Sequence, residues 1–135
     1  CNRLFKDDGL MLIQSITIPD QRYHQAKNSI DFIQKYIFPG GCLPSNSVIA
    51  KHVANDTDMQ IIGLEDITMH YAKTLKEWRS RFFENINAVM SQGFDNQFVR
   101  MWEFYMCYCE GGFQERVIGT SQFVLAKPGA RLCIE

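Results

Sequence analysis

In CNRLFKDDGLMLIQSITIPD, residues 1–20, three backbone states follow one another. CNRLF reads as the end of a helix. KDDG reads as a turn, with Gly9 as the residue that tolerates positive φ. LMLIQSITI is rich in aliphatic and β-branched residues and stops at Pro19. A near-continuous apolar run of this length predicts a parallel strand buried on both faces. Helix, turn and buried strand form one unit of an α/β sheet, and they imply earlier units upstream.

Asp20 to Phe38 reads as a helix capped by Asp20, with Tyr23, Ala26, Ile30, Ile33 and Ile37 at helical spacing. FPGGCLPS (38–45) is a Pro/Gly loop. Ser45 or Asn46 caps a short helix near 46–54. MQIIGLEDI (59–67) is a second strand. Thr68 is placed to cap a long helix from about 69 to 91, on which Ala72, Leu75, Trp78, Phe82, Ile86 and Val89 make one apolar stripe. QGFDN breaks the chain, and a helix follows over about 95–110. IGTSQFVLAKP is the last strand, closed by Pro128 and Gly129. Repeats, low-complexity tracts and linkers are absent from the sequence.

RMWEFYMCYCEGGF (100–113) is the most unusual stretch. Trp102, Phe104, Tyr105 and Tyr108 share about four helical turns with Arg100 and Glu103. A surface helix would not carry that apolar bulk, whereas a helix lining a pocket for a large apolar ligand needs both classes. Gly111 and Gly112 are expected to stop it.

The 135 residues, 46% hydrophobic and 21% charged, suffice for one globular core. A net charge of −1 gives no field for nucleic acid. No apolar stretch reaches membrane-spanning length, and the first ten residues do not read as a signal peptide. Cys1, Cys42, Cys107, Cys109 and Cys133 sit at no metal-ligand spacing and read as reduced thiols of a cytoplasmic protein. Cys107 and Cys109, about 200° apart on a helix, make a poor chelate. His24 and His52 read as surface residues and His70 as a solvated first-turn residue. Lys73, Lys76, Arg79, Arg81 and Arg100 form a basic face interleaved with Glu77 and Glu84. A solvated face is its plain reading, and peripheral membrane contact is the functional one. Neither double glycine (40–41, 111–112) follows a strand, so no dinucleotide or phosphate turn is present.

GLMLIQSITIPD (9–20), YIFPGGCLPS (36–45), EDITMHYAKTLKEWRSRF (65–82), RMWEFYMCYCEGGF (100–113) and IGTSQFVLAKPG (118–129) carry a resemblance. The chain closely resembles the C-terminal part of the cyclopropane-fatty-acyl-phospholipid synthase (mycolic acid cyclopropane synthase-like) family of S-adenosylmethionine-dependent methyltransferases. The resemblance implies an α/β fold, the C-terminal half of a class I (Rossmann-like) sheet. Its three strands would have the last one antiparallel and central, with long helices alongside. Residues 1–135 would then be the C-terminal portion of one methyltransferase domain. The cofactor-binding half would be upstream, leaving no cofactor-binding residue in this chain and a fragment inactive alone. The first strand would keep one bare edge, through which a fragment would self-associate.

The implied chemistry moves a methyl or methylene group from S-adenosylmethionine to the double bond of an unsaturated phospholipid acyl chain. The resulting carbocation needs a dry pocket, and aromatic faces stabilise it. Trp102, Phe104, Tyr105 and Tyr108 are the acyl-pocket candidates. The family holds a bicarbonate as base. Tyr71 matches its tyrosine ligand and a catalytic position. Gln14 and Ile16 match the end of the fifth family strand, where many members place a histidine and a backbone amide contact. Glutamine donates a hydrogen bond but does not titrate. Cys109 matches the cysteine labelled as the active-site residue, although the mechanism needs no thiolate. The residues themselves read more plainly: Tyr71 as half-buried packing, Cys109 as a small core residue, Gln14 as an amide serving backbone. Two alternatives remain open at this level, a non-catalytic lipid-binding or assembly module and a related small-amine N-methyltransferase.

Overall fold

A computed structural model describes residues 2–131, so Cys1 and Cys133 lie outside the described residues. The elements in chain order are β1 (Leu10–Thr17), α1 (Asp20–Lys27), α2 (Asn46–Asp56), β2 (Gln60–Asp66), α3 (Thr68–Glu84), α4 (Ile86–Ser91), α5 (Asn96–Gln114) and β3 (Gly119–Ala126). Short turns of 3-10 helix (Asn2–Leu4) and π-helix (Ile33–Ile37) complete the set. They fall into two compact units. One comprises the residues up to Asn28, Leu43–Ile67 and those from Gly119. The other comprises Ser29–Cys42 and Thr68–Ile118.

The sheet unit has strand order β1-β3-β2, with β3 antiparallel to both neighbours. The last strand is central, as the resemblance implies. β1 pairs in register from Leu10↔Ala126 to Thr17↔Gly119. β2 pairs from Gln60↔Ala126 to Asp66↔Ser121, with a shift between Ile61 and Gly63. Met11 and Ile13 on β1 and Ile49 on α2 pack against Val53, Met59, Phe123 and Leu125. Phe123 and Leu125 are the most completely buried of these, on the strand that, among the described residues, alone has a strand on each side. Lys127 donates to both carboxylate oxygens of Asp58, at 2.7 and 2.9 Å, tying the end of β3 to the start of β2. That bond holds the Asp58 carboxyl below its usual range.

Burial of β1 on both faces is not observed. Leu10 and Leu12 are 46% and 59% exposed, and the strand alternates between open and partly covered residues. The alternation is that of a strand with helix cover on one face. Gly9 also differs from expectation: it is not among the positive-φ residues. A Cβ there would stand 2.8 Å from Phe5 Cδ1, so close approach rather than a left-handed turn requires glycine.

Two caps differ from the sequence reading. Asp20 does not cap its own helix; Pro19 holds that position without a side-chain bond. The Asp20 carboxylate instead accepts from Ser47 N at 3.1 Å, in the first turn of α2. Hydrogen bonds from the Ser45 hydroxyl and from Ser47 keep this carboxyl below its usual range. A negative charge there also complements the helix dipole. Ser45 is the side-chain cap of α2, accepting from Val48 N at 3.4 Å.

In the helical unit, α3 packs against α5. The single helix expected over 20–38 is interrupted. Asn28 Nδ2 takes the His24 carbonyl, and a reciprocal box opens at Asp31. Gln34 N donates to Asp31 Oδ1 at 2.8 Å, and Asp31 N to Gln34 Oε1 at 3.0 Å. Ile30, expected on the apolar stripe, is 80% exposed. The helix expected over 69–91 divides at Asn85, whose Nδ2 occupies the Arg81 carbonyl at 2.8 Å. On α3, Ala72 and Leu75 are buried, but Trp78 is half exposed. Asp95 caps α5 by accepting from Phe98 N at 2.8 Å. Gly111 and Gly112 do not stop α5, which runs through both to Gln114. The turn falls at Arg116, which has φ 51°.

Candidate active site on the helical unit

The site is built from one face of α5, which meets Tyr71 of α3 at Phe113 and Phe38 at Tyr105. Residues 102, 105, 106, 109 and 113 recur at spacings of three and four, so they share one side of the helix. Met106 and Phe113 are buried. Tyr71, in the first turn of α3, sets its ring 5.2 Å from that of Phe113. Trp102 and Tyr105 meet edge to face at 5.4 Å, and Tyr105 meets Phe38 at 6.2 Å. Phe94, Phe98 and Trp102 continue the ring series toward the start of α5.

The titrating groups on this face are held neutral. Burial, then the charge of Asp31, pushes the Cys109 thiol up to about 11. Burial, then Cys109 and Tyr71, raises the Tyr105 phenol above its ordinary value. Burial penalises the charged form of each acid. At neutral pH the face therefore presents a thiol and a phenol, without thiolate or phenolate.

The four aromatic candidates split into two groups. Trp102 and Tyr105 lie on the face just described. Phe104 and Tyr108, stacked at 5.8 Å, lie further round α5, where Phe32 covers them at 4.7 and 6.1 Å. Both are about half exposed. The charges in mid-helix are also resolved. Arg100 and Glu103 lie on the exposed side.

Arg79 leaves the expected basic face and turns inward. Its Nη2 stands 3.0 Å from Glu110 Oε2, and its Nη1 donates to Cys107 Sγ at 2.6 Å. The Cys107 contact, with the charges of Glu110 and Glu103, raises the guanidinium further above its already high value. Sequence reading missed this cluster, although Arg79 and Glu110 were both legible as charges inside apolar stripes. It also missed Asp31, Phe32 and Phe38, which the Asp31–Gln34 capping pattern would have placed.

Gln14 and Ile16 lie in the sheet unit, on one face of β1. Gln14 sits in mid-strand rather than at the strand end, and its Oε1 accepts from Gln122 Nε2 at 2.9 Å. Ile16 pairs with Thr120, and its carbonyl accepts from Ser15 Oγ at 3.0 Å. His52 pairs with Asp56 at 2.7 Å on the surface. No group of three metal-ligating side chains occurs among the described residues. No helix there is long and apolar enough to cross a membrane.

A three-stranded sheet whose last strand is central and antiparallel, its strands separated in sequence by helices, belongs to the class I S-adenosylmethionine-dependent methyltransferase fold. The mycolic acid cyclopropane synthetase family model matches residues 1–123, and the chain belongs to that family. Tuberculostearic acid methyltransferase UfaA1 of Mycobacterium tuberculosis is 38% identical over 127 residues, covering 94% of this chain and 30% of that protein. The cyclopropane-fatty-acyl-phospholipid synthase of Escherichia coli is 29% identical over 126 residues, 93% of this chain and 31% of that protein. Among solved structures, mycolic acid cyclopropane synthase CmaA1 complexed with SAH and CTAB matches at TM-score 0.79 and 25% identity. It covers 93% of this chain and 46% of that one. The chain thus spans about a third of these two curated relatives.

Proposed function

We propose that this chain is the acyl-binding, C-terminal portion of a methyltransferase domain that alkylates the double bond of unsaturated phospholipid acyl chains. The observation that carries the reading is the neutral aromatic face of α5. An alkylated double bond is a carbocation until it loses a proton. A thiolate or an open water path would trap that cation. Here Trp102 and Tyr105 offer ring faces and edges, and Cys109 is held as a thiol by burial. Cys109 then shapes the pocket and does not act as a nucleophile. The partial exposure of Phe104 and Tyr108 suits a pocket mouth, where an acyl chain enters.

Tyr71 is the proposed donor to a bicarbonate that receives the proton, and Gln14 and Ile16, on the sheet unit, are carried as bicarbonate contacts by family likeness alone. An amide in place of the titrating imidazole leaves the proton with the bicarbonate alone. S-Adenosylmethionine would supply the methyl group. No strand–glycine-rich turn–helix unit to cradle it occurs among the described residues, so no step through it is assigned to this chain. By this reading the 135 residues have no activity alone, and the protein works in the cytoplasm at a membrane surface.

A chimera tests the proposal. The chain replaces the corresponding C-terminal third of the E. coli synthase, in cells lacking their own enzyme, and fatty acids are analysed by mass spectrometry. Cyclopropane or methyl-branched acyl chains are expected. Tyr71→Phe in the same chimera should lower product formation at the low end of the about 10²–10⁴-fold range of general-base effects. Cys109→Ser should cost less than about tenfold. A folded, cofactor-binding chimera that makes neither product sinks the reading.

A further inference from the structure

The outer side of α3 carries an open cleft of about 270 Å3, lined by Lys73, Thr74, Glu77, Trp78 and Arg81. That is a little below the about 300–1,000 Å3 of typical small-molecule sites. Lys73, Glu77 and Arg81 follow one another at four-residue spacing on one stripe, and Thr74 and Trp78 form the adjacent stripe. Trp78 is 49% exposed, an uncommon outlay of indole surface for a packing residue. The neighbouring cation Arg79 does not contribute, because Glu110 and Cys107 hold it on the other side of the helix. The cleft therefore presents two cations, one carboxylate and an indole face within about two helical turns.

From this juxtaposition of Lys73, Glu77, Trp78 and Arg81, we propose that the cleft is a docking site for zwitterionic phospholipid headgroups at a bilayer surface. The argument is charge complementarity. Lys73 or Arg81, each one helical turn from Glu77, suits a phosphate. Glu77 and the face of Trp78 suit an ammonium group one turn away. A purely anionic headgroup would meet Glu77 and leave the indole face unused. A purely cationic ligand would meet Lys73 and Arg81. Tryptophan is also the residue most at home at the headgroup level, with an apolar body and one polar edge. The inference rests on the reading of the substrate as a phospholipid, and adds where on this chain the polar end is recognised. Tyr71, Tyr105 and Cys109 are not among the residues lining the cleft.

The test uses the 135-residue chain, with vesicles of phosphatidylethanolamine and phosphatidylcholine against vesicles containing phosphatidylglycerol. Sedimentation measures binding, and tryptophan emission reports the site. Binding to the zwitterionic vesicles with a blue shift of emission is expected. The shift should vanish in Trp78→Phe, which leaves Trp102 as an internal control. Lys73→Glu and Arg81→Glu should each weaken binding roughly fivefold or more. Glu77→Gln should move the preference toward phosphatidylglycerol. No binding to zwitterionic vesicles would overturn the proposal. So would binding to anionic vesicles alone, abolished by salt and indifferent to Trp78→Phe, which would mark a solvated helical charge ladder. The products of the chimera report separately on the acyl-chain chemistry, so either reading can fail without the other.

Discussion

Cys109 and Cys107 are two residues apart on α5, yet their surroundings are opposite. Cys107 takes a hydrogen bond from a guanidinium at 2.6 Å. Cys109 is buried, and its thiol is raised to about 11. At pH 8 only about one Cys109 in a thousand would be a thiolate, against roughly a quarter of an unperturbed cysteine. Iodoacetamide labelling followed by peptide mass spectrometry should therefore modify the exposed Cys42 well before Cys109. Equal rates would refute the buried-thiol account. The same shift has a sign for stability. The folded state holds this proton more tightly than the unfolded one, so the contribution is complete below the ordinary thiol value. It is lost as pH rises toward about 11. Chemical denaturation between pH 9 and 11 should show stability falling, and Cys109→Ala should flatten that part of the profile.

At the scale of elements, α3 and α5 are fixed to each other at two levels, by Tyr71 against Phe113 and by Arg79 against Glu110. Glu110 is only 11% exposed, so removing its partner leaves a nearly buried charge. Arg79→Ala should lower stability by about 2–3 kcal/mol, and the Arg79→Ala/Glu110→Ala double variant by less than the sum of the single changes. Urea unfolding of the four proteins measures the coupling, and strict additivity would show that the pair is not coupled. The adjacent glycines make a finer contrast. Gly111 faces open space, so Gly111→Ala should stabilise α5 by about 0.5–1 kcal/mol. A Cβ at Gly112 would stand 3.2 Å from Ile118 Cγ1, so Gly112→Ala should gain less or lose. These positions also show what the sequence made legible. The strands were readable because LMLIQSITI, QIIGLED and GTSQFVLA are apolar or β-branched runs bounded by turn residues. The helix ends at 28, 85 and 114 were harder, because each is set by a side chain competing for a backbone group or by packing. Asn28 and Asn85 recapture carbonyls behind them, and Ile118 fits against the surface that Gly112 leaves bare. Of the site, Tyr71 and Cys109 came from motif likeness, and Tyr105 from the aromatic crowding of 100–113. The inward turn of Arg79 had a signal that was not used: Arg79 falls four residues after Leu75 and three before Phe82 on the apolar stripe, whereas Lys76 and Arg81 lie off it.

For the whole molecule, the sheet unit has two outer strands and one inner strand. Among the described residues, neither β1 nor β2 has a strand on its far side, and Leu10, Leu12, Ile62 and Leu64 are exposed. Unpaired edges with apolar side chains recruit other chains. Sedimentation velocity should show association that grows with concentration, and Leu12→Lys should reduce it. A monomer at all concentrations would rule out the edge as a sticky surface. The central place of β3 has a further consequence, for the order in which the polypeptide is made. β1 leaves the ribosome before its partner β3 exists, and β2 follows without pairing to it. Their shared partner arrives about a hundred residues after β1. At the usual ~5–20 residues per second, translation leaves β1 waiting for roughly 5–20 s. During that interval the helices can form locally while the strands stay unprotected. A translational pause before Gly119 would lengthen the exposure, whereas holdase chaperones in the cell would shield it. Yield during synthesis should then depend on elongation speed over the codons for residues 18–118 more than on the equilibrium stability of the finished sheet.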